Sequence, residues 1–295
     1  LFPLPDDATL LVDLGNGRMS LFDGAQKYRE SAPLAQGTPG GPGGFSLIIP
    51  RGVDGRGRIY YQPPGAGGRT DSAPVIRWDR AASKFDTVAR VKLPALVTRS
   101  SGGPNDRRVS QRPAPYPAQE AWAVGNDGRL AIVRVPSYRV DLVTPGAAPV
   151  AGPVLAATPV PIRDAEKREY LAESAANGLS VSVSNENGNV SMSFRRGRGR
   201  DGQGDEPDIS GQEWPAHKPT VTGTVVVDPA GRVWVEKSVP AGAARRFDVI
   251  GSNGAIVSRV VLPKDRRLIA VGTKGLYLRH TDPDGLNYLE RYDQP

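Results

Sequence analysis

The stretch from Thr222 to Tyr292 decides the fold: TGTVVVDPAGRVWVEKS, RRFDVIGSNGAIVSRVVLP, LIAVGTKGLYLRH and LNYLERY. Each run is short, alternating or apolar, and each is followed by a turn signal: Asp228-Pro229-Ala230-Gly231, Asn253-Gly254, Lys274-Gly275 and Asp284-Gly285. Asx-Gly pairs reach the φ > 0 geometry of tight hairpins without steric cost. This part of the chain therefore reads as successive antiparallel hairpins.

The same phrase recurs upstream: an acidic or Asn turn, a Gly, often an Arg, then an alternating strand. It occurs at Asp6-Asp7-Ala8 before TLLVDLG, at Asp54–Arg58 before IYY, at Asn126–Arg129 before LAIVRV and, more weakly, at Glu186-Asn187-Gly188 before NVSMSF. It returns at Asp228–Arg232 and Lys274-Gly275. Three of the spacings between successive copies (Ala8 to Gly57, Gly188 to Gly231, Gly231 to Gly275) match the ~40–50 residues of a four-stranded propeller blade. One blade cannot bury both of its faces, whereas radially stacked blades can, leaving only short protected edges. The expectation is an all-β propeller of six blades, or five, forming a single domain over residues 1–295. The C-terminal strand LNYLERY is expected to close the ring by sharing a blade with TLLVDLG near the N-terminus.

Two insertions interrupt the pattern, at about 96–119 and 162–219. The first is a polar loop, Thr98–Gln119. The second opens with IRDAEKREYLAESAAN (Ile162–Asn177), which lacks Gly and Pro and is rich in helix formers. Asp164 serves as the expected N-cap and pairs with Arg168 at i,i+4, and Asn177-Gly178 is the stop. The hairpin LSVSVSNENGNVSMSF that follows reads either as a fourth blade or as an ornament. It leads into the Gly/Arg-rich loop RRGRGRDGQGDEPDISGQEWP.

TLLVDLGNGRMSLFDG resembles the blade signature of NHL-type six-bladed propellers, and the Val225–Tyr292 region is similar to bacterial six-bladed propellers of the cell envelope. The resemblance covers about two-thirds of the chain and departs at Ile162–Pro219. It implies a binding or scaffolding role outside the cytoplasm.

Composition narrows the chemistry. Gly (35) and Pro (28) are abundant, which favours short strands and turns, and the longest apolar runs are too short to span a bilayer as a helix. Because the chain opens on Leu1, a preceding signal or anchor segment is expected. There is no Cys, so thiolate ligands and Cys nucleophiles are excluded within this sequence. His217 and His280 stand in no metal-binding spacing. Asp282-Pro283-Asp284-Gly285 begins like a calcium loop but lacks the later ligands, and reads as a turn. Asn185–Asn189 reads as a turn on the same grounds. GTPGGPGG has no following Lys-Ser/Thr, and no G-x-S-x-G elbow occurs. No catalytic, cofactor or metal residue is assigned.

The net charge of +7 leaves arginine clusters as the candidate contact surface: Arg107, Arg108 and Arg112 with Tyr116 in the first insertion, and Arg195, Arg196, Arg198 and Arg200 in the second. Guanidinium groups on Gly-rich loops suit phosphate, lipid headgroups or carboxylates. Nucleic acid is disfavoured, because aromatic residues are not interleaved and Asp201, Asp205, Glu206 and Asp208 adjoin the second cluster. Trp78, Trp122 and Trp234 lie in strand contexts and are expected to fill the core. Trp214, before Pro215, stands apart as a candidate partner anchor. The leading expectation is a non-catalytic, extracytoplasmic propeller that docks a protein partner, as a scaffold or as an accessory subunit of a membrane-associated complex. The alternatives are a metal-assisted hydrolase or lyase acting at the central channel, and a receptor for anionic polysaccharide or lipid.

Overall fold

A computed structural model describes residues 1–37, 45–63, 71–101, 108–135, 137–177, 179–186, 189–196, 213–282 and 284–293. The chain is all-β with one helix among the described residues, and five small sheets are the blades of a β-propeller. The first sheet comprises Phe2–Pro3, Thr9–Asp13, Arg18–Phe22 and Tyr28–Pro33. The second comprises Pro50–Val53, Ile59–Tyr61, Ser72–Asp79 and Lys84–Lys92. The third comprises Ala121–Val124, Leu130–Arg134, Arg139–Val143 and Val150–Ala151. The fourth comprises Val221–Val227, Val233–Lys237, Arg246–Ile250 and Ile256–Val261. The fifth has three strands, Arg266–Gly272, Gly275–Thr281 and Asn287–Tyr292. In each, strands adjacent in sequence are adjacent in space.

Of the two expected blade counts, five is the one found: a sixth is not formed among the described residues, where Leu179–Glu186 and Asn189–Arg196 pair only with each other. Two expectations are corrected. Among the described residues the ends share no strand pairing. Thr9–Asp13 is already paired on both sides, with Phe2–Pro3 and Arg18–Phe22, while Asn287–Tyr292 pairs with Gly275–Thr281. The first insertion contains a hairpin, Leu96–Ser101 against Arg108–Pro113, rather than a loop. The second insertion does contain its helix, Asp164–Asn177, where Asp164 Oδ1 takes Lys167 Nζ at 2.9 Å. Asp164 thus pairs with Lys167 at i,i+3, and the charge of the expected partner Arg168 also helps to hold its carboxyl below the usual range.

The chain forms two compact units. One comprises residues 1–69, 74–89 and 164–210, the other 70–73, 90–163 and 211–295. In the first unit Leu10, Met19, Leu34, Ile48, Ile59, Tyr61 and Trp78 form the core, and Phe85 stacks on Trp78 with ring centroids 5.5 Å apart. The second unit has two clusters. One joins Ala131, Val133, Val140, Val233, Val235 and Ile250; the other joins Trp234, Phe247, Val249, Leu268, Leu276 and Leu278. The central strands Leu130–Arg134 and Val233–Lys237 are buried at every residue but the last. That burial explains their unbroken apolar runs: both faces meet protein.

The recurring sequence phrase has a structural cause. Asp228 accepts from the Ala230 amide (3.0 Å), the Arg232 amide (2.9 Å), Arg232 Nε (2.6 Å) and Trp234 Nε1 (3.0 Å). Asp54 repeats this with the Arg56 and Arg58 amides (3.0 and 3.1 Å), Arg58 Nε (2.7 Å) and the Tyr60 hydroxyl (2.9 Å). Both carboxylates are buried, so each has its charge neutralised by the arginine and its lone pairs filled by turn amides. The carboxylate turns the chain, and the aromatic donor two residues past the arginine ties that turn to the strand. Gly57 and Gly231 sit at φ 73° and 78°, which completes the turn.

Candidate functional site

The bases of the two insertions meet in the second unit. Val160 pairs with Lys218 and Pro161 with His217, and the Ile162 amide donates to the Ala216 carbonyl at 3.0 Å. This short ladder closes the long excursion at its root. Against it lies the segment that follows the first insertion's hairpin, Ala114–Ala118. Together they enclose a groove of about 610 Å³, lined by Ala95, Tyr116, Pro117, Trp214, Pro215 and His217 among others.

Tyr116 and Trp214 face each other across this groove, with ring centroids 6.3 Å apart and planes tilted by 55°. Lys218 Nζ sits 5.3 Å from the Tyr116 ring centroid, within cation–π range, and also donates to the Val239 carbonyl at 2.9 Å. Both rings are half-buried, while Glu213, Pro215 and His217 are exposed. Tyr116 holds φ 50°. A left-handed conformation costs a bulky residue roughly 1–2 kcal/mol, so the surrounding prolines and the aromatic contact must hold it there. The prolines also withdraw backbone donors from the wall. The groove offers apolar and aromatic surface, with charged groups at its rim.

Two of the sequence-derived contact candidates, Tyr116 and Trp214, are thus brought together across 98 residues of chain. Arg108 and Arg112 lie on the strand Arg108–Pro113, and Arg195 and Arg196 on Asn189–Arg196. Arg107, Arg198 and Arg200 lie outside the described residues, as do the glycine-rich run 38–44 and the acidic residues that follow the second arginine cluster. Trp78, Trp122 and Trp234 are buried, consistent with core roles. The calcium-loop lookalike is a turn: Asp282 Oδ1 accepts from the Leu286 amide at 2.8 Å, and the Asp282 carbonyl accepts from the Gly285 amide at 3.0 Å. Among the described residues no group of three His, Asp or Glu side chains is placed to hold a metal ion, and no helix is long and apolar enough to cross a membrane.

Sequence reasoning missed one polar cluster. Asp248, 3% exposed, accepts from the Tyr138 hydroxyl at 3.0 Å and from Arg259 Nε at 3.3 Å. Lys237 Nζ lies 3.9 Å from the same carboxylate and 3.8 Å from the Tyr138 ring centroid. Burial, opposed by Asp248 and reinforced by Arg259, lowers the Lys237 ammonium to about 8. Burial and the Asp248 charge hold the Tyr138 hydroxyl well above its usual range. The signal was in register: Asp141 occupies the same place in Arg139–Val143 that Asp248 occupies in Arg246–Ile250, and it too pairs with two cationic side chains, Arg134 and Arg139.

The fold places the chain among the β-propellers. No protein-family model and no curated protein sequence matches it.

Proposed function

We propose that the chain is a non-catalytic β-propeller that binds another protein and works outside the cytoplasm, as a scaffold or as an accessory subunit of a membrane-associated complex. The observation that carries this reading is the groove in which Tyr116 and Trp214, from opposite insertions, present half-buried rings over an apolar floor. Aromatic anchors in a pocket with a polar rim are the usual centre of a protein-binding surface. The strained Tyr116 fits a side chain held ready for contact, since pre-ordering lowers the entropy lost on binding. The extracytoplasmic setting rests on the likeness of the Val225–Tyr292 region to bacterial envelope propellers.

The test is affinity purification of the tagged full chain from detergent-solubilised native membranes, beside the Tyr116→Ser/Trp214→Ala double variant. The proposal expects a stoichiometric partner with the wild type and its loss with the variant, at unchanged circular dichroism. A chain that purifies alone, or a partner retained equally by both, refutes it.

A further inference from the structure

The fifth sheet ends where the others continue. The first, second and fourth sheets each place a strand of six or more residues outside their third strand: Tyr28–Pro33, Lys84–Lys92 and Ile256–Val261. The third places the short strand Val150–Ala151 there. In the fifth, the third strand Asn287–Tyr292 is itself the edge, and among the described residues nothing pairs with its outer side. Its counterparts Arg139–Val143 and Arg246–Ile250 are buried at every position but the first. By contrast, Asn287–Tyr292 is exposed at four of its six residues, with Tyr288 48% and Leu289 69% accessible.

The phase of this edge follows from one hydrogen bond. The Asp282 amide donates to the Leu286 carbonyl at 3.0 Å, and the register continues through His280 opposite Tyr288 and Leu278 opposite Glu290. In an antiparallel ladder both polar groups of a residue point the same way, and the direction alternates along the strand. Tyr288, Glu290 and Tyr292 therefore turn their amides and carbonyls inward. Asn287, Leu289 and Arg291 turn theirs to the open side. Exposed edges are normally blunted by lysine, proline, a bulge or brevity. This one is six residues long, has no proline, and carries leucine near its middle.

The side chains indicate the occupant. Directly paired residues share a face, so Leu289 lies beside Arg279, and Arg279 beside Arg267. Arg291 follows on the same face. Glu290, on the opposite face, is already held by Arg266 at 2.9 and 3.0 Å. The open edge thus offers a backbone ladder, one apolar contact and a cationic flank. The chain's net charge of +7 opposes pairing with a second copy.

We propose that Asn287–Tyr292 accepts an extended segment of another polypeptide as the fourth strand of the fifth sheet, with an apolar residue opposite Leu289 and an acidic residue facing Arg291. Main-chain hydrogen bonds supply the affinity in such strand addition, and the alternating side chains supply the selectivity. This surface shares no residue with the Tyr116–Trp214 groove, so it stands or falls independently of that reading.

Amide hydrogen exchange resolved by NMR on the full chain tests it. The probe is a short capped peptide of threonines and serines with a central valine and a glutamate two positions away. Its control has lysine in place of the glutamate. The expected result is that the acidic peptide slows exchange of the Leu289 and Arg291 amides by about tenfold and leaves Tyr288 and Glu290 unchanged. Leu289→Pro removes only an outward amide, which edge strands tolerate, and is expected to abolish the effect while the variant stays folded. Leu289→Lys is the second variant, with the same expectation. Equal protection by the lysine peptide overturns the acidic assignment. Protection that grows with protein concentration alone makes a second copy the occupant and overturns the proposal. Leu289 and Arg291 amides already protected in dilute protein, or unprotected by either peptide, also overturn it.

Discussion

Replacing Asp228 by alanine removes the common acceptor of four donors. The Asp228 carboxylate is buried and receives two turn amides, Arg232 Nε and the Trp234 indole N–H. After Asp228→Ala the Arg232 guanidinium, whose side chain is 39% exposed, turns to water. The Trp234 indole, 2% exposed, keeps a buried donor with no acceptor from this carboxylate. A stranded buried donor costs about 1–3 kcal/mol, and a hydrogen bond lost to a charged acceptor costs about 1.5–3 kcal/mol. These overlap, so we expect a loss of about 3–5 kcal/mol. Asp228→Asn keeps an oxygen for the turn amides and gives up the charge, and should lose about half as much. The assay is urea unfolding followed by tryptophan fluorescence, read as the free energy from midpoint and slope. Asp127→Ala is the internal reference: its side chain is 57% exposed and it receives the Arg129 amide at 3.0 Å, so its loss should stay under about 1 kcal/mol. If Asp228→Ala and Asp127→Ala cost the same, the carboxylate latch is not what stabilises the recurring turn.

Other outcomes follow from the same structure. Lys237 titrates at about 8 in the folded protein against 10.5 in the unfolded chain, so below pH 8 both states hold the proton and the cost of burying it is present in full. Between pH 8 and 10.5 the unfolded chain binds more protons and stability rises with pH; relative to Lys237→Met, the wild type should gain about 3 kcal/mol across that window in pH-resolved urea titrations. A flat difference would contradict the assignment. A Cβ added at Gly275, which sits at φ 147°, would lie 2.2 Å from the Tyr292 carbonyl oxygen. Gly275→Ala should therefore lower the melting temperature by several degrees and release the C-terminal strand first in hydrogen exchange. Trp214→Ala removes a half-buried ring outside the core clusters and should change stability by less than about 1 kcal/mol while abolishing partner capture.

What the sequence makes readable is what neighbouring residues decide. The hairpin turns were legible because Asp, Asn and Gly bend the chain for local reasons, and Asp228 and Asp54 reach no farther than six residues. The helix was legible because Asp164–Asn177 contains no breaker. The closure between chain ends was misread because Phe2–Pro3 is too short to show periodicity, yet it occupies the strand edge that the C-terminal strand would have needed. The hairpin at Leu96–Pro113 was hidden by its polar composition, since alternation is visible only when one face is apolar. The meeting of Tyr116 and Trp214 left no local trace at all. It depends on the two-residue ladder at Val160–Pro161 and His217–Lys218, whose partners lie far apart in the chain.

The claim that matters most is that this groove touches a foreign protein. A photoreactive amino acid placed at position 214 or at 116, in cells that make the full chain, measures it directly. The account predicts one discrete covalent adduct, shared by both positions and absent when the same group replaces the exposed Val150. No adduct at 214 and 116, or the same adducts at Val150, would contradict it.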